Sequence, residues 1–149
     1  MQAHFKKLFE YDKWANNALL EKFEHQFPQN PRIYVLMSHL LSAQRIWLDR
    51  CLGLPQSAIL WGERLPDEMR EDTENYHLAW VDFINRLQAD DFEGRVTYTN
   101  SSGETYNTQL SDLLAHVINH GTHHRGQIMT LMKEEGFVLP NIDYITFVR

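Results

Sequence analysis

The segment His116–Gln127, HVINHGTHHRGQ, contains four of the eight histidines in this 149-residue chain. It lies within a longer stretch, residues 109–135, whose apolar residues recur at the three- and four-residue spacing of an amphipathic helix. Positions four apart on a helix differ by only about 40° around its axis, so His116, His120 and His124 climb one face. The segment therefore predicts a helix that carries a row of imidazoles.

The apolar side chains of this stretch divide the histidines into two pairs. These side chains are Leu113, Leu114, Val117, Ile118, Ile128, Leu131 and Met132. At about 100° per residue, His124 falls within their arc and His120 at its edge. His116 and His123 fall outside the arc. We therefore expect His120 and His124 to face the core and the other two to lie farther out.

Three more segments show helical periodicity, with start and stop signals at their ends. The first covers about 3–26 and ends before two prolines. The second covers about 31–51, with Asn30 as its N-cap and a proline in its first turn. The third covers about 65–88 and also begins with a proline. Together with the histidine-rich segment, these predict four long helices.

The residues around the fourth helix show different patterns. RVTYTN (95–100) and ETYNTQ (104–109) alternate β-branched or aromatic residues with polar ones around SSG, which predicts a short β-hairpin. Thr108 is the expected N-cap of the fourth helix, and Gly136 its expected stop. The tail FVLPNIDYITFVR (137–149) is apolar enough that we expect it to pack against the helices.

Four amphipathic helices of roughly twenty or more residues predict an all-α fold, a four-helix bundle with a hairpin before its last helix. The length and the absence of internal repeats indicate one domain spanning residues 1–149. The connections before the third and fourth helices are longer than tight turns. A simple up-down-up-down order is therefore not assured.

Composition narrows the partners and the compartment. A net charge of −6 without a basic run disfavours duplex DNA, whose affinity comes largely from phosphate neutralisation, so we expect no nucleic-acid partner. Cys51 is alone and cannot form an intrachain disulfide, and the first residues lack the apolar region of a signal peptide. A cytoplasmic location is expected. No stretch approaches the ~20 apolar residues of a membrane span, so no membrane partner is expected.

His39, on the second predicted helix, adds a third inward imidazole. Its neighbours on the helical wheel are apolar, namely Val35, Leu36, Ala43 and Ile46. Two imidazoles at i, i+4 can share a metal ion, and a third from a facing helix leaves one position open, as in catalytic zinc sites. The pattern predicts a metal site of His39, His120 and His124, although imidazole suits zinc, nickel, copper and iron alike.

Structural alternatives remain open at this stage. A histidine on an apolar face is often a hydrogen-bonded core residue, and helices carry i, i+4 histidine pairs by chance. His116 and His123 could support the metal ligands or simply face solvent. His4, His25 and His77 have no partner by spacing and are expected at the surface.

Gly121 limits the metal chemistry. It stands directly after His120, where an H-E-x-x-H zinc peptidase carries its glutamate base. Its presence counts against peptidase-type hydrolysis. Cys51 and the serines show no nucleophile signature, and phosphate-loop and dinucleotide-binding fingerprints are missing.

Four short motifs make the chain resemble the DinB-like superfamily of small metal-binding bundles. They are YDKWAN (11–16), HLLSAQRIWLDR (39–50), HVINHGTHHRGQI (116–128) and DYITFVR (143–149). The resemblance covers essentially the whole chain. It implies an up-down-down-up helix order, and homodimers are common among such proteins.

The resemblance also implies a ligand set and a type of reaction. The three histidines His39, His120 and His124 would hold a divalent ion, nickel or zinc. Recurrent family positions are matched by Arg45, Trp47, Arg125 and Gln127, but the resemblance assigns them no role. Better-understood relatives use small thiols as cosubstrates, as in S-transfer from bacillithiol or mycothiol-dependent isomerisation, whereas others are described as hydrolases.

The function implied is that of a metal-dependent enzyme acting on a small molecule, with thiol S-transferase chemistry as the leading reaction. The alternatives are metal-dependent hydrolysis and a non-catalytic metal-binding role in a stress response.

Overall fold

The computed structural model describes residues 1–149 as four long helices with a small hairpin and a short C-terminal helix. The elements in chain order are α1 (Gln2–His25), α2 (Pro31–Leu52), α3 (Pro66–Arg86), a 3-10 turn (Asp90–Glu93), β1 (Arg95–Thr99), β2 (Thr105–Gln109), α4 (Leu110–Glu134) and α5 (Tyr144–Phe147). The expected all-α bundle with a hairpin before its last long helix is confirmed. None of these helices is long and apolar enough to cross a bilayer.

Side-chain contacts between α1 and α3 show that the two helices are antiparallel. The amide of Gln2, at the start of α1, donates to the carbonyl of Ile84 near the end of α3. Arg70, near the start of α3, forms an ion pair with Glu24 near the end of α1. These contacts tie both ends of the helix pair.

The remaining contacts fix the order of the helices. Along α2 and α4, His39 lies against His124 while Trp47 lies against His116, so these helices are antiparallel. By contrast, α1 and α4 are parallel. Arg125 in α4 pairs with Asp12 near the middle of α1, and farther along both helices the carbonyl of Glu135, the C-cap residue of α4, accepts from Gln26 at the end of α1. The helices therefore run up, down, down, up, as the resemblance implied.

The helix ends largely follow their sequence signals. The Asn30 side chain accepts a hydrogen bond from the Arg32 amide and caps α2, whose first residue is Pro31. Gly53 follows α2 with φ of 66°, and Gly136 lies beyond α4 with φ of 80°, both in the left-handed region that glycine adopts without strain.

The predicted N-cap of α4 is wrong. Thr108 lies in β2, where it pairs with Val96, and the ladder continues to the pair of Arg95 and Gln109. The helix begins at Leu110, and its N-cap residue Gln109 makes no side-chain capping bond. Strand pairing takes the backbone of Thr108 through the extended conformation past the position where a cap was expected.

The C-terminal tail packs on the bundle as expected. Phe137 and Ile142 are buried in the same cluster as Ile128 and Met132 of α4. The hydroxyl of Tyr11 donates to the carbonyl of Ile142 at 2.9 Å, which ties the tail to α1. The tail therefore closes one end of the hydrophobic core.

Candidate metal centre

The three predicted histidines meet where α2 crosses α4. One nitrogen from each of His39, His120 and His124 lies within 4.8 Å of the others. The His39 side chain is buried, and the two α4 histidines are half-buried. The Nε2 atoms of His120 and His124 are 3.1 Å apart. The structure therefore brings together the set that helical phase had turned inward.

The other histidines fall outside this cluster. His116 and His123 are exposed, as their phase predicted, although the His116 ring packs edge-on against Trp47 at 4.9 Å. His4 is exposed, and so is His25 at the end of α1. These positions agree with the sequence expectation.

His77 departs from the expectation that it lies at the surface. It is half-buried, and its Nδ1 atom is fully shielded from solvent without a hydrogen-bond partner. Burial, followed by the nearby charge of Lys13, lowers the pKa of its imidazole. Sequence spacing could not reveal this, because the shielding comes from packing between helices.

Hydrogen bonds fix the proton position on two of the clustered imidazoles. His39 Nδ1 lies 3.2 Å from the carbonyl oxygen of Leu60, and His124 Nδ1 lies 2.8 Å from Oε1 of Gln127. Carbonyl oxygens only accept, so each Nδ1 carries the proton and each Nε2 keeps its lone pair. Such partners orient the imidazoles of metal sites. This gives Gln127 a contact that the sequence had left unassigned.

The nitrogen spacing fits a shared cation. Two lone pairs 3.1 Å apart repel each other unless a proton or a cation lies between them. With Zn–N bonds of about 2.0–2.1 Å and tetrahedral angles, two ligand nitrogens stand roughly 3.3 Å apart. The His120 and His124 pair is close to that separation without rearrangement.

The protonation state of the three imidazoles is also compatible with a bound metal ion. Burial, followed by the neighbouring imidazoles of His124 and His39, lowers the pKa of His120 to about 3. Burial likewise lowers the pKa of the two other members. All three imidazoles are therefore neutral near pH 7, which is the form that binds metals. The three histidines are positioned to bind a metal ion.

Trp61 supports the cluster from the loop between α2 and α3. Its ring stacks on that of His39, with centroids 3.8 Å apart and planes 14° from parallel. More than half of the Trp61 surface remains exposed, at 57%. The stacking restrains the His39 ring, and the loop position of Trp61 gave no sequence signal for it.

A second polar cluster lies deeper in the bundle and was missed by the sequence analysis. Arg125 is only 1% exposed and donates to Asp12 at 2.5 Å and to Asn16 at 2.9 Å. The amide of Gln44 also donates to Asp12. Helical phase contained the signal, because Arg125 falls within the apolar arc of α4 and the two α1 residues are spaced with the core positions.

Gly121 has a steric role beside this cluster. A Cβ atom at this position would lie 2.5 Å from Oδ1 of Asp12 and 3.0 Å from Nη1 of Arg125. The ion pair therefore occupies the space where a side chain would stand. A glutamate base is absent after His120 because no side chain fits there.

Sequence comparison agrees with this arrangement. The sequence profile of the DinB family matches residues 1–149. The chain belongs to the DinB family. It is 29% identical to Protein DinB of Bacillus subtilis (strain 168) over 157 aligned positions, a match that covers 93% of this chain and 90% of that protein. No solved structure matches significantly.

The motifs of this DinB-family chain map onto the two polar clusters. YDKWAN supplies Asp12 and Asn16 of the buried cluster. The α2 motif supplies His39 to the histidine cluster and Gln44 to the buried cluster. The α4 motif supplies both remaining histidines and also Arg125. These motifs therefore encode the bundle interior as well as the candidate metal centre.

A pocket of about 220 Å³ adjoins the histidines in this DinB-family bundle. His39 and His120 line one part of it, and Trp47, Arg50 and His116 line another. No aspartate or glutamate is among the lining residues. The candidate metal centre therefore opens onto a space that a small molecule could enter, and that space contains no carboxylate base.

Proposed function

We propose that this protein is a metal-dependent enzyme that transfers a small thiol to an electrophile. In this proposal His39, His120 and His124 hold the divalent ion, nickel or zinc. The observation that carries the proposal is the convergence of three neutral imidazoles beside a pocket. A site with three protein ligands leaves a coordination position for a substrate, which is typical of catalytic rather than structural centres.

The surrounding residues orient the ligands. Leu60 and Trp61 hold the ring of His39, and Gln127 holds that of His124. When bound, a divalent ion would supply Lewis acidity that lowers the pKa of a thiol at the open position. The protein then needs to provide only a fixed ligand geometry and a pocket that positions the electrophile.

The buried cysteine and the lack of a carboxylate at the pocket favour thiol transfer over hydrolysis. Burial raises the pKa of the Cys51 thiol to about 12, so this cysteine is not a protein nucleophile. No carboxylate lines the pocket, and Gly121 leaves no room for one after His120. Water, with a pKa of about 15.7 against about 8.5 for a thiol, depends more on a proton acceptor to become a nucleophile near pH 7. A cosubstrate thiol can instead bring its own nucleophile.

The pocket also bears on the non-catalytic alternative. A metal-storage or scaffold role needs no cavity beside the ion, whereas the histidine cluster adjoins one. The homodimer and the absence of nucleic-acid partners, expected from the resemblance and the acidic balance, stay predictions.

A thiol screen tests the proposal. Protein loaded with nickel or zinc is mixed with bacillithiol, glutathione or coenzyme A and the electrophile 1-chloro-2,4-dinitrobenzene, and thioether formation is followed by absorbance. We expect turnover that requires the metal and is lost in His120→Ala. His123→Ala, the matched exposed control on the same helix, should retain most of it. Equal rates with and without metal for every thiol would overturn the proposal.

A further inference from the structure

Arg50 differs from the other shielded arginines of the protein. Arg45, Arg64 and Arg125 each form an ion pair with an aspartate. Arg50, at the end of α2, is half-buried and takes part in none of the ion pairs. An unpaired, partly desolvated cation is costly, and such groups are usually matched by an opposite charge. Acidic residues outnumber basic ones in this chain, which has a net charge of −6, yet none of them forms an ion pair with Arg50.

Aromatic stacking holds the Arg50 side chain. Its guanidinium carbon lies 4.4 Å from the centroid of the Trp47 ring and 5.1 Å from that of Tyr98 in β1. Stacking uses the faces of the guanidinium and leaves its N–H groups, which lie in the plane, able to donate. Burial lowers the pKa of Arg50, as expected for a cation without a partner.

The position of Arg50 links it to the metal centre. It lines the same pocket as His39 and His120. Arg50 follows His39 by eleven residues on α2, roughly 16 Å along the axis, and its side chain folds back over Trp47 toward the histidines. Between them the wall of the pocket includes the apolar side chains of Ala43 and Ile46.

We propose that Arg50 binds the anionic end of the ligand, and that the ligand is an elongated thiol with a carboxylate several bonds from its sulfur. This inference rests on the proposed function, because the histidine cluster defines where the sulfur lies. A carboxylate matches the fork of guanidinium donors, and the apolar wall suits the intervening chain. Because no acidic side chain lines the pocket, nothing there repels the carboxylate.

Binding of matched probes tests the inference without measuring turnover. Calorimetry on the zinc-loaded protein compares 6-mercaptohexanoate with 6-mercaptohexanol, which differ in charge and share chain length and thiol. We expect the carboxylate to bind about tenfold more tightly or better, since charge-assisted hydrogen bonds are among the stronger ones. Arg50→Gln should abolish this preference, and Arg50→Lys should retain part of it. Arg32→Gln, which removes an exposed charge from the same helix, should leave it unchanged.

Hexanoate, which has no thiol, separates this inference from the proposed function. Arg50-dependent binding of hexanoate to metal-free protein would support the anion site even if no thiol bound to the loaded protein. Conversely, equal binding of the two mercapto probes, or a preference that survives in folded Arg50→Gln, would overturn the role of Arg50. Metal-dependent thiol binding would then still support the proposed function.

Discussion

Two polar clusters occupy neighbouring turns of α2 and α4, the deeper one completed by residues of α1, and they differ in how their polar groups are paired. In the deeper cluster, Asp12 accepts from Arg125 and Gln44, so that charge is matched within the protein, although Nε of Arg125 has no hydrogen-bond partner. In the outer cluster, the Nε2 atoms of His120 and His124 face each other at 3.1 Å, and the donor available to either atom is the other imidazole. The comparison teaches that a buried polar cluster is suited to bind a metal ion when electron-pair donors converge in it, and not merely because it is buried.

The electrostatics of the two clusters differ in the same way. The deeper cluster contains a full ion pair with both side chains almost completely buried. The outer cluster consists of imidazoles whose pKa values burial has lowered, so it carries no charge near neutral pH. The first cluster balances its charge without a ligand, whereas the second is suited to accept a cation.

The largest expected effect is the loss of bound metal when a histidine of the outer cluster is removed, a change that leaves the deeper cluster intact. His120→Ala removes one of the two nitrogens that lie 3.1 Å apart, and two ligands make a weak site. We expect stoichiometric nickel or zinc in the wild-type protein and only trace metal in the variant, measured by elemental analysis after gel filtration. His123→Ala should keep its metal. Unchanged metal content in the His120 variant would remove the site assignment.

Loss of a charge in the deeper cluster should instead reduce stability. Asp12→Asn keeps the shape of the side chain but leaves the buried Arg125 cation without its counter-charge. We expect the free energy of unfolding in urea to fall by about 3–5 kcal/mol, as for other broken buried pairs. Glu74→Gln, at the exposed ion pair with Lys13, should change it by at most about 1 kcal/mol. A similar small change in both variants would show that the deeper cluster does not stabilise the fold.

Two glycines on α4 offer a sharper test of the packing between the clusters. Gly121→Ala places a methyl group against the ion pair, and we expect a loss of about 1–3 kcal/mol. At Gly126, nothing lies within 4 Å of an added Cβ, so alanine should stabilise the helix by about 1 kcal/mol. Thermal unfolding of the metal-free variants measures both changes. Stabilisation by both substitutions would mean that Gly121 is not constrained by its neighbours.

The smallest effect concerns His77, a shielded histidine outside both clusters. Its pKa is lowered in the folded protein, so below about pH 6.5 the unfolded chain binds the proton more readily. The neutral His77 imidazole therefore favours the folded state fully above pH 6.5. This contribution to the free energy of unfolding is lost as the pH falls toward the lowered pKa of His77 in the folded protein. In urea denaturation of metal-free protein at pH 7.5 and 5.5, His77→Gln should lose less stability than the wild type. His25→Gln, at an exposed histidine, should lose as much as the wild type, and equal losses in all three proteins would contradict the assignment.

Helical phase explains how much could be predicted. It separated His120 and His124 from the outer histidines because burial follows the angle around a single helix. The same angles place Arg125 inward, but an arginine within an apolar arc cannot be interpreted until its partner is known. Asp12 lies 113 residues earlier, on a helix whose position depends on the whole topology.

Contacts between separate elements could not be predicted from the sequence either, because they also depend on the whole topology. The stacking of Trp61 on His39 depends on the path of the loop between α2 and α3. The pocket beside Arg50 depends on the docking of the hairpin, whose Tyr98 contacts the guanidinium. Thr108 was misplaced because strand pairing with Val96 overrides a local capping signal.

The up-down-down-up order has a consequence for the kinetics of folding. The helix α1 packs on α3 and α4, and α2 packs on the same pair. The first two helices, α1 and α2, are consecutive in sequence but have no extensive interface. An early hairpin of α1 with α2 therefore cannot nucleate the bundle, and the packing of α2 on α4 requires closure of a long loop. The imidazoles of α2 and α4 meet only once this closure is complete. A bound ion would then slow unfolding and leave the rate of folding almost unchanged.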